Sequence, residues 1–386
     1  MQTELVERKG WISQARFLHA LNYCMLLPGP EATQLAIYIG WLLHRTIGGV
    51  VAGVFFVLPS VFVLWGLSFI YAGYGSVPWI AAIFYGLKPA VTAIVAAAVL
   101  RIGARALRTW PMWAIAAGAF SALYFFHAPF PLVIAAAILA GFLLMRWSPG
   151  EPGAAPEKTI ATVSLRKISR IALVCLLLWF LPVILIGSWR GWGSTLFREG
   201  LFFSKAAVVT FGGAYAVLPY VAQQALSHYG WLKPGQMMDG LGLAVTTPGP
   251  LIMVVQFVGF IGAWQHPEGL SPLAAGTMGA LITTWVTFTP CFLWVLSGAP
   301  YIDRLHRMER VQRVLSAVTA AVVGVILNLA VWFAGHVFFP AAGQIDWVAI
   351  TMSVFAFVAL VRFNASVVAV IAACGLLGLA RLFLYR

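Results

Sequence analysis

The sequence predicts an all-α polytopic membrane protein built from two inverted-topology repeats, with helices broken or re-entrant at Pro-Gly-Pro. Three observations predict it. Of 386 residues, 62% are hydrophobic and only 9% are charged, a composition that belongs to membrane chains. Apolar stretches of bilayer-spanning length recur, and the short loops between them hold the basic residues. The tripeptide Pro-Gly-Pro occurs twice inside apolar sequence, as Pro28-Gly29-Pro30 and Pro248-Gly249-Pro250.

Two prolines one residue apart cannot both sit inside a continuous helix. Each lacks a backbone donor, and each pushes the residue before it out of the α region. The glycine between them admits the turn that results. The flanks, Phe17 to Leu27 and Leu35 to Trp41 in one case, Leu241 to Val245 and Leu251 to Trp264 in the other, are too apolar for surface loops. Non-helical backbone at membrane depth is tolerated only where protein buries it or where it lines a cavity. Paired broken helices in corresponding halves therefore point to a transporter's binding site; the plainer alternative is a helix kink with no ligand.

Taken in order, residues 1–16 are polar, carry Arg8, Lys9 and Arg16, and read as cytoplasmic without a cleavable signal. A first broken segment over 18–41 precedes His44 and Arg45, so basic residues flank it on both sides and it enters from the cytoplasm and returns there. Spans follow at 48–71, 79–100, 110–126 and 131–147. The charge-free loop 72–78 goes outside, and the loop with Arg101, Arg105 and Arg108 goes inside. Residues 148–167, with Pro149, Pro152 and Pro156 among glycines and basic residues, form a flexible cytoplasmic linker. A span at 168–187 emerges outside near Ser188 to Gly200. Two interrupted segments come next, one with Lys205 and Phe211-Gly212-Gly213, the other with the second Pro-Gly-Pro. Spans at 273–297, 314–335, 346–361 and 364–385 complete the chain. Arg304, Arg307, Arg310 and Arg313 hold the loop between the first two inside, and Gly335 to Gln344, without Lys or Arg, goes outside. Arg381 and Arg386 near an outer C-terminus run against that rule. Tryptophans such as Trp79, Trp110, Trp147, Trp189, Trp264 and Trp347 flank the spans as interfacial anchors.

The halves repeat. At an offset of 220 positions (28 to 248), Gly10-Trp11 meets Gly230-Trp231, Leu21 meets Leu241, and the Pro-Gly-Pro tripeptides coincide. Further on, Ala90-Val91-Thr92-Ala93 meets Ala317-Val318-Thr319-Ala320. An ordered series of short matches signals duplication. The domains are then 1–147, the linker 148–167, and 168–386. Equivalent loops have swapped charge: uncharged 72–78 corresponds to Arg-rich 301–313, and Arg-rich 101–109 to cation-free 335–344. With the extra crossing at 168–187 the repeats are inverted, which is a transporter architecture.

These residues resemble the chromate transporter family of bacterial inner-membrane proteins. The resemblance rests on Lys205, Phe211-Gly212-Gly213, Pro219, Gly230-Trp231 and Pro248-Gly249-Pro250 in the second half. In the first half it rests on Gly10-Trp11, Leu21-Asn22-Tyr23, Pro28-Gly29-Pro30-Glu31, Gln34, Tyr38-Ile39-Gly40 and Phe56-Val57-Leu58-Pro59. It covers nearly the whole chain as a long, two-domain member. It implies multi-pass insertion in the bacterial cytoplasmic membrane and transport of chromate, usually as efflux giving resistance, with sulfate as the chemically similar oxyanion. The family has a Phe-Gly-Gly segment in both halves. Here position 1 aligns with Val221, so the first half has no counterpart of Lys205 to Tyr220: either the chain starts downstream of its natural start, or half of a paired element is lost, and a real loss puts transport competence in question.

Chromate and sulfate are divalent oxyanions, which call for hydrogen-bond donors and positive potential. No cofactor and no metal is needed. Half-helices that restart near Glu31 and Leu251 offer free N–H groups and the positive end of the helix dipole. Thr246 and Thr247 add hydroxyls, with local bonding at a helix end as the alternative. Lys88, the tenth residue of the 79–100 span, is a cation near the midplane, costly there and by default functional; the alternative is a lysine snorkelling to an interface. Lys205, six positions before Phe211, joins it. Glu31 is a candidate partner for a basic residue or a coupling proton, or a dipole-stabilising carboxylate. Gly212 and Gly213 give close backbone approach or simple helix packing. The proposed binding set is thus Pro28, Gly29, Pro30, Glu31, Lys88, Lys205, Phe211, Gly212, Gly213, Thr246, Thr247, Pro248, Gly249 and Pro250. His19 and Asp239 occupy equivalent places and read as interfacial or functional. Tyr23, Gln34, Tyr215, Gln223, Gln224, Gln256 and Asn328 are weaker candidates that equally suit helix bridging.

Other classes fare worse. The net charge of +13 sits in short loops, not on a nucleic-acid-binding face. Cys24, Cys175, Cys291 and Cys374 are scattered singly without metal-ligand spacing. The sequence has no His-Glu-x-x-His, no paired intramembrane aspartates, and no Gly-x-x-x-x-Gly-Lys loop for ATP, so an enzyme or an ATP-driven pump is not indicated. A channel is the remaining class. The partners expected are an oxyanion and the lipid bilayer; oligomeric state is open, with a homodimer one option.

Overall fold

The structure, a computed structural model, describes residues 1, 3–25, 27–147, 165–210, 213–299, 309–340 and 344–384. Most of the linker, Phe211, Gly212 and the loop 300–308 lie outside the described residues. The described chain is helical, with no β-strand. After a π-helical turn at Thr3–Arg8, the first half holds α1 (Gln14–Cys24), α2 (Glu31–Tyr74), α3 (Pro78–Ala106), α4 (Trp110–Tyr124) and α5 (Phe130–Trp147). The second half holds α6 (Leu165–Arg190), α7 (Thr195–Val209), α8 (Ala214–Gln223), α9 (Pro234–Thr246), α10 (Val254–Gln265), α11 (Pro272–Gly298), α12 (Glu309–Phe338), α13 (Trp347–Arg362) and α14 (Val367–Leu384). Five of these helices are long and apolar enough to cross a membrane, and four shorter apolar helices accompany them. The chain is an all-α polytopic membrane protein. Helix α6 begins at Leu165, three residues before the span expected from composition.

Local chemistry sets the boundaries. Pro stands in the first turn of α3, α4, α9 and α11, where its missing N–H costs nothing. Ser13, Ser194, Ser271 and Asp346 cap α1, α7, α11 and α13 by accepting from backbone N–H groups. The 31–74 helix is not continuous: His44 (φ −136°, ψ 29°) and Arg45 (φ 54°, ψ −145°) leave helical geometry. Residues 31–43 thus form an arm folded back on the long stretch 46–74. Helices α10 and α11, joined through His266 to Ser271, form the same figure.

Each figure closes through a pair of glycines. A Cβ on Gly40 would strike the Gly48 carbonyl, and one on Gly48 would strike that of Gly40. In the second half Gly259 and Gly279 block each other's carbonyls in the same reciprocal way. Only glycine lets helix backbones approach this closely, the small-residue packing expected where lipid supplies no hydrophobic drive between helices.

The long helices of the two halves then pack on one another. Gly53 abuts Phe292, Gly49 abuts Leu296, and Trp65 Nε1 donates to Thr277 Oγ1 at 3.0 Å. Numbers rise on α2 as they fall on α11, so these helices run antiparallel. Exchange continues outward: α3 packs on α13 and α14 of the other half, while α12 packs on α4 and α5. Gly86 and Gly378 take the backbones of α14 and α3, and Gly141 and Gly324 those of α12 and α4. Each half is therefore completed by the other. Arg381, out of place by loop charge, sits 3.8 Å from Asp346 and over the Tyr85 ring, which neutralises it at that end.

Candidate functional site

Three chain interruptions converge in the interior. The Gly29 N–H donates to the Thr210 carbonyl at 2.7 Å, where α7 ends. Gln34, fully buried on the first turns of α2, donates from Nε2 to the Pro28 carbonyl at 2.7 Å and so holds the first tip. Gly213 takes φ 91°, and its Cα faces the Glu31 carboxyl, which a Cβ would meet at 3.6 Å. Glu31 is partly buried as the first residue of α2. On the other side α8 packs against Leu251–Met253, the 3₁₀ turn that follows the second Pro-Gly-Pro. That tip is held by Ser60, whose hydroxyl donates to the Pro248 carbonyl. Gln256, fully buried, donates to the Val61 carbonyl at 2.8 Å and accepts from Thr284 at 3.3 Å. Gly29 and Gly249 take φ 121° and 142°, outside the reach of L side chains.

Lys88 stands on the third turn of α3, directly before Pro89, which has no N–H to return to the Tyr85 carbonyl. Its Nζ lies 3.9 Å from Asp239 Oδ1 on α9. Tyr71 on α2 donates its hydroxyl to Asp239 Oδ2 at 2.9 Å. Asp239 is 4% exposed, and its Oδ1 has no hydrogen-bond donor among the described residues. These groups line a cavity of about 400 Å³ together with Ser76, Gln236 and Gln265. A second cavity of about 310 Å³, with Tyr85, Gly235, His336 and Asp346 on its wall, lies on the other side of the lysine. Lys88 is the one residue common to the two linings. Gly235 gives it room: a Cβ there would lie 3.3 Å from Nζ. A polar cavity with a cation and amide donors suits a small anion, and the lone carboxylate opposes one.

The family model described as chromate transporter matches residues 1–142 and 197–379. The chain belongs to the chromate transporter family. It is 31% identical to a chromate transport protein of Pseudomonas aeruginosa, over 98% of this chain and 86% of that one. It is 29% identical to a chromate transport protein of Cupriavidus metallidurans, over 84% of this chain and 74% of that one. With a probable chromate transport protein of Synechococcus elongatus it shares 28% identity, over 86% and 77%. No solved structure matches.

In this chromate transporter family member the sequence-expected site residues fall into separate groups. Pro28, Gly29, Pro30, Glu31 and Gly213 meet at the first tip, and Pro248, Gly249 and Pro250 form the second. Thr246 and Thr247 donate their hydroxyls to the Leu243 and Ala244 carbonyls at 2.8 and 2.9 Å, the helix-end bonding weighed as the alternative. Lys205 lies on an exposed face of α7 and does not line either cavity. Lys88 joins Asp239 instead. Asp239 carried only a weak signal beside its counterpart His19; the i, i+3 polar pair it makes with Gln236 on the short α9 is a spacing that could have marked it. Glu199 was missed altogether. It is fully buried on α7 against Gly262 and Gly279, and neither oxygen has a hydrogen-bond partner among the described residues.

Proposed function

We propose that this protein is a secondary carrier that moves chromate outward across the bacterial cytoplasmic membrane, driven by the membrane potential or an ion gradient. One observation carries the reading: an intramembrane lysine faces two cavities beside helices broken at Pro-Gly-Pro. A cation in a membrane span is expensive and is retained for a ligand or a pathway. An inside-negative potential drives a divalent anion outward, so no chemical energy source is required. In this reading Lys88 binds the oxyanion, and the interrupted helices let the halves rock about it. The antiparallel α2 and α11, long helices of equivalent place, support inverted repeats. The family relatives named for chromate transport support the substrate.

The test is chromate flux into inside-out vesicles or proteoliposomes under an imposed potential, with sulfate as competitor. Saturable flux that follows the potential and weakens with sulfate is expected. Flux that rises linearly with chromate to the highest concentration would identify a channel and overturn the carrier reading.

A further inference from the structure

We propose that Asp239 is a proton-binding carboxyl that decides whether Lys88 is available to the transported anion, so that a proton binds together with the oxyanion. The inference rests on Lys88 being the anion ligand, as proposed above. Asp239 is 4% exposed, yet its Oδ1 has no hydrogen-bond donor among the described residues and its nearest cation is 3.9 Å away. That separation is too long for a hydrogen bond. The pair is therefore loose, and Lys88 is held near Asp239 by charge alone.

The surroundings make the carboxyl a switch rather than a fixed strut. From α2 it faces Tyr71, which donates to Oδ2 at 2.9 Å. From α3 it faces Lys88. From α10 the wall of the same cavity carries the neutral Trp264 and Gln265, and α9 itself supplies Gln236. Beyond Lys88, α12 and α13 present His336 and Asp346 to the second cavity. Arg381 of α14 is paired with Asp346. Thus one cation serves the Asp239 carboxylate, and one carboxylate stands at the cavity into which an anion must come.

A dianion that contacts Nζ from this cavity arrives within a few ångströms of Oδ1. With Asp239 ionised, the anion meets like charge and competes with the carboxylate for the same ammonium. With Asp239 protonated, the repulsion vanishes, Oδ1 can carry a donor hydroxyl, and Lys88 turns wholly to the ligand. No bond other than the O–H of the acid forms or breaks; the proton is taken from water on the cytoplasmic side together with the anion and is released with it outside. One proton per chromate reduces the charge moved per cycle from two to one, which leaves the potential as a driving force.

The experiment measures binding of radiolabelled chromate to the purified full chain in detergent, from neutral to alkaline pH, where chromate is the dianion. Wild type, Asp239→Asn, Asp239→Glu and Lys88→Met are compared, each checked as monodisperse by gel filtration. For one linked proton the apparent Kd of wild type rises about tenfold per pH unit once Asp239 ionises. Asp239→Asn, near-isosteric and always neutral, is expected to bind as the protonated wild type does at every pH. Asp239→Glu is expected to restore the slope. An Asp239→Asn protein that keeps the wild-type slope overturns the proposal, as does a wild type whose affinity does not change with pH. If Lys88→Met binds chromate as wild type does, the parent reading of Lys88 as ligand fails instead. If Asp239→Asn does not yield folded protein, the slope of Asp239→Glu decides: a midpoint shifted from wild type supports the proposal and an unchanged curve overturns it.

Discussion

At the scale of single residues, a partly exposed cation stands beside a buried carboxylate. Lys88 contributes one positive charge, three donors and a flexible stem to two cavities. Lys88→Met keeps the stem and removes only the charge, so the protein is expected to fold and insert. Hydrogen bonds to charged groups are worth about 1.5–3 kcal/mol, so chromate affinity, read from the half-saturating concentration for flux, is expected to weaken about ten- to a hundredfold. Lys88→Arg keeps the charge but brings a rigid planar fork into the space that Gly235 leaves for a slim ammonium, so intermediate flux is expected. Wild-type transport by well-expressed Lys88→Met would remove Lys88 from the site and leave it a snorkelling lysine.

At the scale of elements, both re-entrant figures depend on backbones in direct contact. The Gly40–Gly48 and Gly259–Gly279 pairs each leave no room for a methyl group, and what blocks it is a carbonyl that cannot step aside. Overpacking of this kind costs about 1–3 kcal/mol. Gly40→Ala and Gly259→Ala are therefore expected to lower the melting temperature in detergent. Gly66→Ala and Gly73→Ala, whose new methyl groups would meet nothing within 4 Å, are expected to leave it unchanged or slightly raised, since alanine favours the helix. Equal melting temperatures for all four variants would show that the glycine pairs do not hold the arms closed. The sequence announced the breaks themselves at proline and at His44-Arg45, because proline acts locally. It could not announce which glycines touch, because that depends on partners eight and twenty positions away across a fold-back.

At the scale of the whole molecule, the reading is one of opposed orientation. The N-terminal ends of α3 and α13 come together through Tyr85 and Asp346, linked at 2.6 Å. Their C-terminal ends come together through Arg101, which donates to the Leu360 carbonyl at 3.2 Å. Under the charge rule the first end faces out and the second faces in. Single cysteines at Ser76 and Pro340 are expected to react with a membrane-impermeant thiol reagent from outside, and those at Arg105 and Arg362 only from inside. The background would lack the four native cysteines, all buried. Labelling of positions 105 and 340 from the same side would break the inverted-repeat reading.

The sequence by itself determined the class, the order of the apolar helices, the three points where the chain breaks, and the family motif. All of these are written in local terms: hydropathy over a bilayer's length, proline's missing donor, and basic residues confined to short loops. It also singled out Lys88, because a lysine in the middle of an apolar run is anomalous without reference to any neighbour. Only the tertiary structure decided what Lys88 faces. The meeting of Lys88 with Asp239 and Tyr71 joins α3 to α9 and α2, elements drawn from both halves, and no local pattern encodes that distance. The same holds for Lys205, equally polar in sequence yet exposed on α7. It holds for Thr246 and Thr247 as well, whose hydroxyls end on their own helix. The cost of an ion in a membrane can be read from one residue, but its compensation is a pairwise property, and the fold alone supplies the pair.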